Sequence, residues 1–182
     1  MKKVAVFFAD GFEEIEAISI VDVLRRANIE VTTVSIKSTT QVTGSHNITV
    51  IADDIFENID FSVFEMLILP GGMPGAKNLN EHYKLKEQIL HFNNQGKALG
   101  AICAAPMVFG QLGILKEKNA TCFPGFEHYL EGANYTGSSK EVAGNILTGK
   151  GAGVAIEFAL QIVEFLKDKE TAEELAVRMV VN

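Results

Sequence analysis

Residues 97–106 read Lys97-Ala98-Leu99-Gly100-Ala101-Ile102-Cys103-Ala104-Ala105-Pro106, and this stretch indicates the class of fold. The small apolar residues before Cys103 predict a buried strand, and the run after it predicts a helix, so the thiol lies at a sharp turn. Ligands of open α/β sheets bind at the carboxyl edge of the strands, where such a turn holds a side chain. The helix amino terminus favours an anion, which predicts a lowered pKa for the Cys103 thiol.

Strands and helices alternate on both sides of this stretch. Short apolar runs at 4–8 and 64–70 are typical of buried parallel strands. Residues 14–27 have helical periodicity, with a predicted core face of Ile15, Ile18, Val21 and Leu24. The other predicted elements are a strand at 30–36, a hairpin at 41–51, a helix at 83–94, a strand ending near 122, short strands at 134–136 and 140–142 that pair with each other, a strand at 145–148, and helices at 154–166 and 171–179. The pattern predicts a flavodoxin-like, doubly wound α/β/α sandwich with a mostly parallel sheet and a nucleophile-elbow cysteine.

The whole chain sets the class of protein. Its 182 residues suit a single domain, residues 1–182, that buries about 70% of its unfolded surface. The net charge of −7 argues against a nucleic-acid partner. Apolar runs are too short for a signal peptide or a bilayer span, so we expect a soluble, cytoplasmic protein without a membrane partner. Two cysteines make no disulfide framework, and both are expected as free thiols.

Three strand-ending loops are predicted to meet at one sheet edge: 9–16, 70–75 and the turn at Cys103. Glu16 lies close to the predicted apolar stripe of the first helix, so its carboxyl should have a raised pKa. A protonated Glu16 could donate a hydrogen bond to the Cys103 thiolate and move protons. The unshielded N–H groups of Gly71 and Gly72, with that of Ala104, could form an oxyanion hole beside the sulfur.

Each of these residues also has a purely structural interpretation. Cys103 could be a packed core cysteine, and Gly71-Gly72 could be only a tight turn. The glycines of residues 149–153 are explained better by close packing of a helix on the sheet than by a dinucleotide fingerprint. His128 is the one histidine that follows a predicted strand end and is an accessory candidate, and Cys122 is a candidate resolving thiol. No ligand spacing indicates a metal, and no cofactor is expected.

Several motifs together resemble the ThiJ/PfpI superfamily, and most closely the branch of the parkinsonism-associated protein deglycase and its bacterial relatives. These motifs are Asp10-Gly11-Phe12-Glu13-Glu14-Ile15-Glu16, Leu69-Pro70-Gly71-Gly72, Ala101-Ile102-Cys103-Ala104, Thr148-Gly149-Lys150-Gly151-Ala152-Gly153, Val21-Asp22-Val23-Leu24-Arg25-Arg26-Ala27 and Glu157-Phe158-Ala159-Leu160. The resemblance implies a homodimer, an oxidation-prone nucleophilic Cys103, a protonated Glu16 touching it, and backbone donors around Gly72 and Ala104.

The chain departs from this family at three positions. Ala104 stands where the peptidase branch has a histidine, which weakens a protease reading. Phe123 stands before Pro124 where the human-type protein has a histidine, so Glu16 becomes the expected proton carrier. His46 replaces an arginine of the hairpin, and the dimer contacts there are expected to differ.

Three functions follow as hypotheses. The first is a cofactor-independent glyoxalase or deglycase acting on methylglyoxal-like dicarbonyls or early glycation adducts. The second is an oxidative-stress sensor or chaperone-like stress protein that uses the same thiol. The third is a cysteine peptidase or amidase, which needs a histidine that only His128 or a partner subunit could supply.

Overall fold

The computed structural model describes residues 2–181, which form a central sheet between two layers of helices. The strands are β1 (Lys3–Phe8), β2 (Glu30–Ser35), β3 (Gln41–Thr43), β4 (Thr49–Ile51), β5 (Asp54–Ile55), β6 (Met66–Leu69), β7 (Ala98–Ile102), β8 (Asn119–Ala120), β9 (Asn134–Tyr135), β10 (Lys140–Ala143) and β11 (Ile146–Gly149). The helices are α1 (Glu14–Arg26), α2 (Gly75–Glu81), α3 (Tyr83–Asn94), α4 (Pro106–Gln111), α5 (Ala155–Leu166) and α6 (Lys169–Arg178). No helix within 2–181 is long and apolar enough to cross a membrane.

The main sheet has seven strands in the order β10-β11-β7-β6-β1-β2-β5. All neighbours are parallel except β10 and β11, which are antiparallel. Helices α1, α5 and α6 pack together, and α2, α3 and α4 form the other group of contacts, with α3 against β6 and β7. This arrangement confirms the predicted flavodoxin-like sandwich.

The register places the ends of the central strands at one edge. Val4 lies beside Met66, Met66 beside Ala98, and Leu99 beside Ile146. Because these strands are parallel and in step, the loops after β1, β6, β7 and β11 leave the sheet on the same side. The predicted meeting of the loops at 9–16, 70–75 and Cys103 is therefore confirmed.

Two details of the sequence interpretation were wrong. The strands predicted at 134–136 and 140–142 do not pair with each other: β9 lies parallel to β8, and β10 lies along β11. The predicted core face of the first helix was wrong in its first half, because Ile15 is 59% exposed and Ile18 is 44% exposed, and right at Val21 and Leu24, which are buried. The helix instead buries Glu16, Ala17 and Ile20 together with Val21 and Leu24.

Candidate active site

Cys103 lies at the turn between β7 and α4 in a left-handed backbone conformation, with φ of 65°. Few residues other than glycine adopt this conformation, and it is typical of strained turns at functional sites. The Cys103 N–H donates to the Gly149 carbonyl at 2.9 Å, and its carbonyl accepts from the Phe123 N–H at 2.8 Å. Cys103 is 9% exposed, so the residue keeps only a small surface in contact with solvent.

Glu16 is the second member of the site and is fully buried. Its N–H donates to Glu13 Oε2 at 2.7 Å, which caps α1 and fixes the first helical turn. Glu16 Oε2 accepts from the Gly71 N–H at 2.8 Å. Its Oε1 has no hydrogen-bond partner of ordinary geometry within residues 2–181, although the carboxyl interacts with the Cys103 thiol. Oε2 is thus held by the main chain, and Oε1 is available to exchange a proton with the sulfur.

Burial decides the protonation of this pair. It raises the pKa of Glu16 to about 7, against smaller opposing effects of Cys103 and the Gly71 N–H. Burial, and then the charge of Glu16, raise the pKa of the Cys103 thiol to about 12, although the N–H groups of Gly72 and Ala104 lower it. Desolvation of the thiol thus opposes the lowering of its pKa that the helix amino terminus predicts, and α4 has only six residues.

Because burial disfavours charge on both groups at once, the pair retains one proton between the Glu16 carboxyl and the Cys103 sulfur. Glu16 is a base in contact with the thiol, so it can take the thiol proton as the sulfur attacks an electrophile. This is the usual relation of a nucleophile to its activating base.

The glycines around the sulfur have different roles. The N–H groups of Gly72 and Ala104 point to the sulfur, as predicted. The Gly71 N–H does not, because it is bonded to Glu16, and its predicted place in the oxyanion hole was wrong. A Cβ at Gly71 would lie 2.6 Å from the Cβ of Cys103, so only glycine lets these loops meet. Gly72 has φ of 90° and packs against Gly11.

The structure does not bring the two accessory candidates to the sulfur. His128 lies on an exposed 3₁₀ turn, and its ring is tilted against that of Tyr129 with centroids 4.0 Å apart. Cys122 is fully buried, and burial raises the pKa of its thiol to about 12. Its chain neighbour Phe123 contacts the main chain of Cys103, but neither side chain supplies a base to the nucleophile.

Sequence reasoning missed a contact between the hairpin and α1. Glu14 is almost fully buried and accepts hydrogen bonds from the His46 N–H, the His46 ring and Ser45 Oγ. Burial alone would raise the pKa of Glu14, but these bonds lower it to about 2. Ligand atoms of Glu13, Glu14 and His46 lie within 4.8 Å of one another, so this is where the described residues could hold a metal. The Glu14 oxygens already accept hydrogen bonds from Ser45 and His46, however. These bonds hold the hairpin beside the first turn of α1, which contains Glu16.

Fold and site together define a flavodoxin-like α/β protein with an elbow cysteine beside a buried glutamic acid. The model of the DJ-1/PfpI family matches residues 2–165. The chain therefore belongs to the DJ-1/PfpI family, which confirms the resemblance found in the motifs.

Individual relatives agree with this membership. "Protein DJ-1 homolog B" of Arabidopsis thaliana is 37% identical over 183 residues, 100% of this chain and 42% of the relative. "Glutathione-independent glyoxalase DJR-1.2" of Caenorhabditis elegans is 32% identical over 164 residues, 90% of this chain and 87% of the relative. The solved structure of oxidized Toxoplasma gondii DJ-1 superposes with a TM-score of 0.94 at 34% identity, covering 99% of this chain and 98% of the other. The chain spans less than half of the length of the two Arabidopsis relatives, 42% and 45%.

Proposed function

We propose that this protein is a cofactor-independent glyoxalase that converts methylglyoxal-like dicarbonyls to hydroxy acids, with early glycation adducts as related substrates. The single observation that carries the proposal is the contact of a buried carboxyl, Glu16, with the Cys103 thiol. The nematode relative named as a glutathione-independent glyoxalase supports the same activity class.

The first step joins the sulfur to the aldehyde carbon. As the Cys103 sulfur attacks, its proton passes to Glu16, and the carbonyl electron pair moves to oxygen. The N–H groups of Gly72 and Ala104 bond to the sulfur, and in this proposal they donate to the oxyanion that forms beside it. Return of the proton from Glu16 to the oxygen gives a neutral hemithioacetal.

The second step moves a proton between carbons. Glu16 removes the hydrogen of the former aldehyde carbon as a proton and delivers it to the neighbouring oxygen, which gives an enediol. Glu16 then takes the proton of the hydroxyl on the sulfur-bearing carbon and delivers it to the neighbouring carbon, which gives a thioester of lactate. Water then cleaves the thioester and restores the thiol, so one methylglyoxal and one water become one lactic acid without an oxidant or reductant.

The test is lactate formation from methylglyoxal by the purified protein, without glutathione or any added cofactor. We expect lactate to accumulate in proportion to protein and methylglyoxal loss to match it mole for mole. Loss without lactate would indicate simple adduct formation and contradict the proposal.

A second candidate is oxidative-stress sensing through the same thiol. A sulfur oxyacid at Cys103 would meet the acid of Glu16 and the N–H groups of Gly72 and Ala104, and one relative was solved in an oxidized form. Mild peroxide should then add two oxygens to Cys103 and leave the fully buried Cys122 unchanged, as read by peptide mass spectrometry. Equal oxidation of the two cysteines would count against a sensing site.

We also propose a second copy of the chain as the partner. Ile15 and Ile18 on α1 and Ile48 and Ile51 on the hairpin are exposed, and the Ile48 N–H bonds to Glu14 at 3.4 Å, which places the two groups side by side. Such a patch on a protein surface is typical of an interface. The family resemblance to homodimers selects a second copy as the occupant.

Sedimentation velocity tests the dimer. The wild-type chain of 19.8 kDa should sediment at twice that mass, and Ile51→Glu should weaken the association by at least about tenfold. Val177→Glu, on the similarly exposed end of α6, is the matched control and should leave the dimer intact. A monomeric wild type, or an Ile51→Glu variant that associates normally, would contradict this interface.

A further inference from the structure

A cavity of about 310 Å³ lies between two segments that are attached to the main chain of Cys103, and it plays no part in the chemistry described above. One wall is Phe123 and Pro124, and the other is the stretch from Lys150 to Val154 before α5. Its volume is enough for a phenyl group with its neighbouring atoms.

Both walls are attached to the main chain of Cys103. The Phe123 N–H donates to the Cys103 carbonyl at 2.8 Å, and the Cys103 N–H donates to the Gly149 carbonyl at 2.9 Å, one residue before Lys150. The two walls of the cavity therefore keep a fixed position relative to the main chain of Cys103.

The lining is apolar. The Phe123 ring lies against Gly151, where an added Cβ would be 3.3 Å from a ring carbon, and Val154 is half-buried on the opposite wall. Lys150 is the one charged residue of the lining, and its Nζ donates to the Gly137 carbonyl at 2.8 Å. An aromatic ring would gain contact with Phe123 here, whereas a methyl group would leave the space largely unfilled.

We propose that this cavity binds the apolar substituent of the carbonyl compound that Cys103 attacks, so that aryl-substituted dicarbonyls are preferred to methylglyoxal. The inference deepens the proposed function and rests on it in taking the ligand to be a carbonyl compound. Phe123 and Val154 are then specificity-determining residues.

The first experiment needs no turnover. Cys103 is alkylated with 2-bromoacetophenone and with bromoacetone, and the ratio of the two rates is divided by the same ratio for glutathione. We expect a normalised ratio of about ten, since an aromatic contact and the burial of a ring both favour the phenyl reagent. Peptide mapping assigns the label to Cys103. A normalised ratio of one overturns the inference.

Variants locate the effect. Phe123→Ala and Val154→Asp should each lower the normalised ratio by about fivefold or more, because one removes a wall and the other places a charge in it. Phe165→Ala is the matched control, because Phe165 is 38% exposed and Phe123 is 47% exposed. Phe165 lies far from the cavity, at the opposite end of the sheet beside Lys2 and Gly96. An equal change in Phe165→Ala, or none in the first two variants, overturns the assignment.

The outcomes separate the two proposals. A high normalised ratio without lactate formation removes the glyoxalase activity and leaves the apolar subsite. Lactate formation with a ratio of one keeps the activity and removes the subsite. Where both hold, kcat/KM for phenylglyoxal should exceed that for methylglyoxal, and Phe123→Ala should reduce the excess.

Discussion

Replacing Cys103 by serine is expected to lower kcat/KM for methylglyoxal by about 10³-fold or more. The serine hydroxyl holds its proton more tightly than a thiol and is a weaker nucleophile, and removing a nucleophile from a concerted site costs most of its rate enhancement. The two side chains are similar in size, so the contact with Glu16 and the left-handed turn at position 103 can be kept. Lactate formation measured with matched protein concentrations gives the ratio directly.

Cys122→Ser is the internal control for that loss. Cys122 is also a buried thiol with a pKa of about 12, and it lies one residue from the segment bonded to Cys103. Because it has no contact with Glu16 or with the N–H groups of Gly72 and Ala104, we expect its replacement to keep kcat/KM within about threefold, which is the ordinary context scatter of a nearby change. Equal losses in both variants would show that a buried polar atom disturbs the fold and would remove Cys103 from the proposed chemistry.

The order of strands and helices could be predicted from the sequence because the strands are short apolar runs, and proline and glycine mark where several of the elements begin and end. Residues 64–70 end at Pro70-Gly71-Gly72, and Cys103 is followed three residues later by a proline that begins α4. The explanation of the glycines of residues 149–153 by helix packing holds at Gly149, whereas a Cβ at Gly151 would meet Phe123 and one at Gly153 would meet nothing within 4 Å. A Cβ at Gly149 would lie 2.9 Å from the ring of Phe158 on α5.

The prediction of the buried face of α1 failed because this helix has apolar residues on more than one side. In α1, Ile15, Ile18, Ile20 and Val23 surround the helix, so periodicity alone cannot choose the buried side. Packing against α5 and the sheet buries Ile20 and exposes Ile15. Glu16 was selected on the wrong premise that Ile15 faces the core, yet it is fully buried, because the loop after β6 supplies an N–H for it.

The different roles of the Gly71 and Gly72 N–H groups could not be predicted from the sequence either. Which of two successive N–H groups points at the sulfur depends on the backbone turn, here the positive φ of Gly72. The pKa of Cys103 likewise depends on how deeply the loops bury it. A helix amino terminus predicts only one of the opposing effects.

Glu16→Gln is expected to lower kcat/KM for methylglyoxal by about 10²- to 10⁴-fold, the usual contribution of a positioned general base. The amide oxygen of glutamine can still accept from the Gly71 N–H, so the shape of the site is kept while proton transfer is lost. In the wild type, kcat/KM should rise as the pH increases through about 7, because protonated Glu16 cannot take the thiol proton. The Glu16→Gln variant should lack this rise, and a rise that persists in it would assign the titration to another group.

The same substitution should stabilise the protein at high pH, which separates a catalytic carboxyl from a structural one. The pKa of Glu16 is raised from 4.5 to about 7 in the folded state. Between these values the unfolded chain has released the proton and the folded chain retains it, so stability falls as the pH rises. At 1.36 kcal/mol per pKa unit, the cost at pH 8 is about 3 kcal/mol.

Urea unfolding at pH 4.5 and pH 8 measures this cost as a difference between variants. The stability of Glu16→Gln relative to wild type should increase by about 3 kcal/mol from the lower pH to the higher one. Glu157→Gln, at an exposed position in the first turn of α5, is the control and should show no comparable increase. If Glu16→Gln loses activity but its relative stability does not change with pH, the carboxyl is not held protonated by burial, and its role as the base that shares a proton with Cys103 is wrong. If Glu16→Gln both loses activity and gains relative stability at high pH, the buried carboxyl costs stability and serves the reaction. Its function is then to exchange a proton with the Cys103 thiol.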